Sequence, residues 1–282
     1  GLCLVGSEMC IRDSHNGDLI DYSVNEGGYG KITETIPMIA IPTTSGTGSE
    51  VSVGSLIVMN DGRKLIFASP HLMPNAAICD PELTIGLPPV LTAGAGMDAL
   101  THCIEAILSP INDPPAEAVG IDGIEKIIKE ESLIRACKDG QDKDARWSMM
   151  MASTEGAMAF SKGLGAVHSM SHAIGADQEL GLHHGTLNAV ILPTVLRFNQ
   201  DHVGNKYSRI ARAMGMNESI NLATEIEKLN EKIGMPSKLA EMGVTEDMIP
   251  DLIAHAMTDP SNITTPRVPT LEEWEKLFLE AI

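Results

Sequence analysis

Two patterns of apolar residues divide the chain. Between residues 15 and 89 the apolar residues fall in short runs bounded by Gly, Pro, Asn and Ser. Residues 37–42, PMIAIP, predict a buried strand that runs into the Gly/Thr/Ser loop TTSGTGSE. The β-rich runs in SLIVMNDGRKLIFAS flank Asn60-Asp61-Gly62 and predict a hairpin. NAAICDPELTIGLPP predicts another strand ending in a loop, closed by Pro88-Pro89. From residue 90 the period lengthens to that of a helix. Helices are predicted over 90–109, 116–138, 144–161, 166–175, 186–199, 205–214, 219–233 and 246–257. Thr270 opens a capped C-terminal helix in TLEEWEKLFLEAI. The pattern therefore puts a β-rich part, 15–89, ahead of an all-helical part, 90–282, with a joint near Pro88-Pro89. Residues 1–14, GLCLVGSEMCIRDS, fit neither part. They have no basic n-region and no long apolar run, and read as a non-native segment outside the domains.

Composition narrows this picture. The 282 residues suit one large domain or two modest ones, and 43% are hydrophobic. Aromatics are only 3%, so Leu, Ile, Val, Ala and the 16 Met must fill the core. No apolar run approaches the ~20 residues needed to cross a membrane. A net charge of −18 argues against a nucleic-acid partner, whose phosphates such a surface repels. The five cysteines, Cys3, Cys10, Cys79, Cys103 and Cys137, are scattered and form no CxxC. Neither a disulfide framework nor a zinc ribbon is suggested, and reduced thiols in the cytoplasm are expected.

The chemistry-bearing residues cluster in the helical part. Asp98 and His102 in GMDALTHCIEA are four apart, so one helix face carries both. An isolated pair of this kind is more often a satisfied structural pair than a metal site. His168 and His172 repeat the spacing in GLGAVHSMSHAIGA, which is almost free of charge. Two core histidines or two groups facing a metal or a close ligand both fit that setting. His183 and His184 are adjacent and cannot face the same way, so at most one of them joins such a site. His184 precedes Gly185 and the start of a helix, where a loop histidine can point into a cleft. Together the segments offer one carboxylate and three imidazoles, a first shell suited to Fe²⁺ or Zn²⁺. PTTSGTGSEVS adds Gly46 and Gly48 for close backbone approach, with hydroxyls around them. It is neither GxGxxG nor a Walker A loop, so on its own it points to phosphate or amide binding only in general terms.

PTTSGTGSEVS, DPELTIGLPPVLTAGAGMDALTHCIEA and GLGAVHSMSHAIGA…HHGTLNAVILP, in this order, resemble the group III, iron-dependent alcohol dehydrogenases from about Ile32 onward. The resemblance implies an α/β remnant of a dinucleotide-binding domain followed by an all-α metal-binding domain, a dehydroquinate synthase-like architecture. It implies Asp98, His102, His168 and His184 as metal ligands, with Fe²⁺ expected and Zn²⁺ as the alternative. His172 falls on the family's catalytic histidine near the nicotinamide. Thr43, Thr44, Thr47, Ser52, Lys64 and Leu83 fall on positions that line NAD or NADP; Ser52 stands where Thr is common. The stretch from His168 to His184 is longer than in the shorter members, which keeps His183 in competition, while the His-Gly context favours His184. The family's Gly-Gly-Gly-Ser pyrophosphate motif has no counterpart before His15, so an N-terminal truncation is expected. The implied function is a metal- and NAD(P)-dependent alcohol dehydrogenase or aldehyde reductase acting on a small alcohol or aldehyde. Family members are often dimers or larger, so a homo-oligomer is part of that expectation. Two alternatives stand beside it: an NAD- and zinc-dependent lyase of the dehydroquinate-synthase type, and an inactive fragment that binds metal only.

Overall fold

The computed structural model describes residues 6–59 and 64–282. It separates into two compact units, Gly1–Thr43 with Gly48–Asp80, and Thr44–Thr47 with Pro81–Ile282.

The first unit is a reduced α/β assembly. Helix α1 (Gly6–Ser14) is followed by short 3₁₀ turns and by β1 (Ile39–Ala40), β2 (Gly54–Val58), β3 (Lys64–Ala68) and β4 (Ala76–Ala77). β2 and β3 form the expected antiparallel hairpin, with Ser55 opposite Phe67 and Leu56 opposite Ile66. The turn read at Asn60-Asp61-Gly62 lies outside the described residues. The alternation of the hairpin buries Ile57, Leu65 and Phe67 in a small cluster with Ile11, Leu19, Ile32 and Leu72. Residues 6–14, set apart on sequence, thus supply Ile11 to this core. The strand expected over 37–42 is two residues long and pairs in parallel with β4. It was expected to be buried, but Ile39 is 63% exposed and Ile41 50%. The reason is coverage: among the described residues it has one neighbouring strand, and its apolar run has no layer packed over it.

The second unit is all-helical: α2 (Pro89–Leu108), α3 (Pro114–Ile124), α4 (Ser132–Lys138), α5 (Lys143–Ala159), α6 (Ala166–Gly175), α7 (His184–Asn199), α8 (Lys206–Ala213), α9 (Leu222–Ile233), α10 (Ile249–Thr258) and α11 (Leu271–Ala281). α2 runs through the middle, packed on α3, α4, α5 and α7 and buried without a break from Thr92 to Leu108. A helix covered on all sides needs small residues where neighbours cross, and α2 has them. A Cβ on Gly96 would stand 2.3 Å from Leu133, and one on Gly94 would stand 2.6 Å from His183.

The joint falls at Asp80–Pro81 rather than at Pro89. Pro88 is the N-cap of α2 and Pro89 its first residue, a place where a missing N–H costs nothing. Residues 81–88 are tied to α5 instead. The buried Arg146 guanidinium donates to Thr92 Oγ1 at 2.9 Å and to the Leu87 carbonyl at 3.4 Å, and Lys143 pairs with Glu82.

The helix expected over 116–138 is interrupted. A π turn spans Glu125–Lys129, and Glu131 takes a left-handed backbone with φ 54° before α4 begins. The break falls in the charged run Lys129-Glu130-Glu131, where apolar periodicity carries no signal. α7 continues through Pro193, which cannot donate to the Ala189 carbonyl one turn earlier. Asn230 from α9 donates to that carbonyl instead, at 2.6 Å. α11 opens with the expected cap, as a full capping box between Thr270 and Glu273.

The π turn also places Lys126 between Asp122 and Glu155, the latter at 2.9 Å. Burial pushes the Glu155 carboxyl up to about 7, with Asp122 adding to it and Lys126 opposing. The folded chain therefore holds a proton that the unfolded chain has already released above the ordinary value of 4.5. Stability from this group is present below that value and is lost as pH rises through about 7. Glu155→Gln removes the dependence. Discounted for partial solvent screening, the variant gains on the order of 1 kcal/mol relative to wild type between about pH 5 and about pH 8, read from thermal melts at both.

Candidate metal centre and active site

Three helices, α2, α6 and α7, bring imidazoles to Asp98. Asp98 and His102 sit one turn apart on α2 and are 3% and 5% exposed. The Nε2 atoms of His102 and His168 lie 3.6 Å from Asp98 Oδ1, and that of His184 lies 3.5 Å away. The rings pack as a group. His102 stacks on His168 at 4.7 Å, and His184 lies 5.4 Å from His168. Phe160, at the end of α5, meets His102 edge-on at 5.0 Å.

The carboxylate is buried without a lysine or arginine among the groups that set its charge. Burial alone raises its pKa, yet His102, His184 and His168 together hold it far below the usual carboxylate range. Burial pushes His102 down to about 4, which keeps it a neutral imidazole despite Asp98 beside it. His168 goes the other way. Against burial, the Asp98 and Glu105 carboxylates lift it to about 9. Buried charge is costly unless paired or coordinated. Asp98, His102 and His168 bring their ligand atoms within 4.8 Å of one another, and His184 adds a third imidazole nitrogen 3.5 Å from the same carboxylate oxygen; this is the donor set of a borderline divalent ion, and the residues fit such a group.

The orientation of each ring has a visible cause. Glu105 Oε2 lies 2.6 Å from His168 Nδ1 and accepts its N–H, leaving Nε2 toward Asp98. Glu105 is held in turn by the N–H groups of Val167 at 2.8 Å and Gly165 at 3.1 Å, the first turn of α6. Ser171 Oγ donates to the His168 carbonyl and lies 3.4 Å from His184 Nδ1, which turns His184 Nε2 inward. His172, one turn beyond His168, does not join the Asp98 cluster. Its Nδ1 lies 2.9 Å from Asp259 Oδ2, and its ring stacks on His184 at 5.2 Å. Asp259, beyond the end of α10, is held below the usual carboxylate range: burial opposes this, and His172 and Ser261 outweigh it.

His183 is exposed and stands outside the cluster. It caps α7, its Nδ1 accepting from the Thr186 N–H at 3.3 Å. That settles the geometry of the His183–His184 pair: the cap residue faces out and the first helical residue faces in. Two residues with clear roles in the geometry were missed on sequence. Glu105 is three residues after His102 and seven after Asp98, on the same stripe of α2, so helical spacing could have found it. Asp259 lies 87 residues from His172, and nothing local marks it.

The residues expected along the dinucleotide divide between the units. Thr44 and Thr47 belong to the helical unit, as does Leu83, which is 48% exposed on a 3₁₀ turn. Gly46 lets this loop lie directly on α2, since a Cβ there would stand 2.8 Å from the Ala95 carbonyl. Thr43, Ser52 and Lys64 belong to the other unit. Ser52 Oγ accepts from the Gly54 N–H at 3.0 Å, fixing the turn into β2, and Lys64 begins β3.

With this geometry in view, the likeness to known proteins is extensive. Residues 92–282 match the C-terminal domain of the Fe-containing alcohol dehydrogenase family, and residues 10–81 match the iron-containing alcohol dehydrogenase description. The chain is 47% identical over 282 residues to the 4-hydroxybutyrate dehydrogenase of Cupriavidus necator, covering 97% of this chain and 73% of that protein. It is 36% identical over 275 residues to the lactaldehyde reductase of Escherichia coli K12, covering 94% and 70%. Among solved structures it aligns with a 1,3-propanediol oxidoreductase at a TM-score of 0.90 and 33% identity, covering 98% and 73%. It aligns with the sulfoacetaldehyde reductase of Bifidobacterium kashiwanohense, solved with NAD⁺, at 0.87 and 28%, covering 98% and 72%. Fold and site define a metal-dependent alcohol and aldehyde oxidoreductase that uses NAD(P). The chain belongs to the iron-containing alcohol dehydrogenase family.

Proposed function

We propose that Asp98, His102, His168 and His184 hold one divalent ion, Fe²⁺ in preference to Zn²⁺, beside His172. The substrate is a small alcohol or its aldehyde, and the 47% identity to a 4-hydroxybutyrate dehydrogenase favours a short hydroxy acid. Thr43, Thr44, Thr47, Ser52, Lys64 and Leu83 serve the dinucleotide, NAD or NADP. The observation that carries the metal reading is the convergence of three Nε2 atoms within 3.6 Å of one buried carboxylate oxygen.

When bound, the ion supplies Lewis acidity toward the alcohol oxygen and the nicotinamide accepts the hydride. The chain supplies the geometry and the proton path. Glu105 fixes which nitrogen of His168 faces the centre. Asp259 accepts the Nδ1 proton of His172, which leaves His172 Nε2 as the nitrogen that exchanges a proton. Phe160 packs edge-on against His102 and helps hold that ring in place.

Removing the ion tests the reading. Dialysis against a chelator is expected to abolish alcohol-dependent reduction of NAD⁺, followed by absorbance, and added Fe²⁺ to restore it. Full activity in demonstrably ion-free protein overturns the assignment. The same assay separates a dehydrogenase from a lyase, which regenerates its dinucleotide within each turnover.

A further inference from the structure

Asn188 lies one turn after His184 on α7, fully buried. Its Nδ2 is 2.8 Å from Asp98 Oδ1 and 3.3 Å from both His168 Nε2 and His184 Nε2. The amide thus stands among three of the four groups proposed to hold the ion. Its other end is unsatisfied: Oδ1 is buried with no hydrogen-bond partner among the described residues. The two ends cannot be exchanged, because turning the amide over would set Oδ1 against the Asp98 carboxylate. A leucine would fill the same space without stranding a carbonyl. Packing therefore does not account for the amide, and its donor end does.

We propose that Asn188 is a positioning residue for the ion. By donating to Asp98 Oδ1 it fixes the rotation of the carboxylate and offsets part of its charge. The carboxylate is thereby held in register with the three imidazoles before any ion arrives. The affinity of the centre depends on this hydrogen bond, because ligands already in place lose less freedom on binding. The inference rests on the metal reading above and extends it to a residue that coordinates nothing.

Two substitutions in the full chain test it, with Zn²⁺ alone as the probe. Asn188→Leu keeps the volume and removes the donor. Removing the orphaned Oδ1 offsets the lost donation to Asp98, so the ion-free melting temperature is expected to change little, while Zn²⁺ affinity, measured by chelator competition, falls roughly 10- to 100-fold. A merely structural residue would not separate those two readouts. Asn188→Asp keeps the shape and replaces the donor with a second carboxylate against Asp98. Its ion-free melting temperature is expected to fall, and Zn²⁺ to raise it by more than in wild type. Should the leucine variant fail to fold, the aspartate variant decides the matter alone. Wild-type Zn²⁺ affinity in both variants, or an unchanged ion-free melt in the aspartate variant, overturns the proposal while leaving the metal reading intact. A wild-type chain that takes up no Zn²⁺ overturns the metal reading, and this inference with it.

Discussion

Replacing His168 by alanine is expected to remove the bound ion and the oxidoreductase activity together. His168 is 1% exposed and is the ring that the other members of the centre touch. It stacks on His102, lies edge-on to His172 at 5.7 Å, and faces both Asp98 and Glu105. His168 is the ring through which His102 and His184 pack, so its loss removes one donor and also the contact that holds the other two imidazoles around Asp98. Lewis-acid stabilisation is worth several kcal/mol, so activity should fall on the order of 10³-fold or more. The substitution also takes from Glu105, which is 4% exposed, its side-chain donor, leaving the Gly165 and Val167 N–H groups, at a cost of about 2 kcal/mol. His168→Gln, which can still donate to Glu105, therefore belongs beside it. Ion content by elemental analysis and rate should fall in both variants, and the melt should fall mainly in the alanine variant. Retention of ion and activity in either variant overturns the assignment of His168.

Much of the centre was legible because helical spacing is local geometry. Asp98 and His102 four apart, and His168 and His172 four apart, put each pair on one face before any tertiary contact is known. Spacing could not say which second member turns inward. On α2 both do. On α6 only His168 does, because Asp259, from a distant segment, takes His172 to the other side of the cluster. The pair His183–His184 was open on sequence because the choice depends on where α7 begins. The cap at His183 makes that choice, through a bond to a backbone N–H that sequence periodicity does not register.

The fold divides along the same line. The hairpin and the helices of 90–282 followed from their periods. What the periods could not convey was coverage and interruption. The apolar run around Ile39 reads as buried, yet among the described residues β1 pairs with one strand, and Ile39 and Ile41 are exposed. The helix over 116–138 reads as continuous, yet Glu131 breaks it with a left-handed backbone in a stretch with no apolar stripe. Pro88-Pro89 reads as a joint, yet it starts α2, because proline at a helix entrance and proline in a linker look alike without the contacts of Arg146.

Gly185→Ala is expected to disable the centre without touching a donor atom. Gly185 is the second residue of α7, directly after His184. A Cβ there would stand 2.1 Å from the Gly94 carbonyl oxygen, 2.7 Å from its carbon and 3.2 Å from Asp98 Cβ. The nearest obstacles are backbone of α2, buried on every side, so no side chain can swing away to relieve them. The two helices must separate by about 1 Å to reach ordinary contact. That separation carries His184 away from Asp98 and lengthens the 3.5 Å spacing on which the donor set depends. Overpacking of this kind costs about 3 kcal/mol, and a misplacement of about 1 Å at a reacting centre can cost on the order of 10²-fold in rate. The variant should melt several degrees lower, bind Zn²⁺ at least tenfold more weakly, and lose rate even with the ion in excess. Gly86→Ala is the matched control: a Cβ there meets nothing within 4 Å, and its backbone is not left-handed. Equal melts and equal Zn²⁺ affinities for the two variants would show that α2 and α7 have room to spare, and that the tight crossing at Gly94 and Gly185 does not set the position of His184.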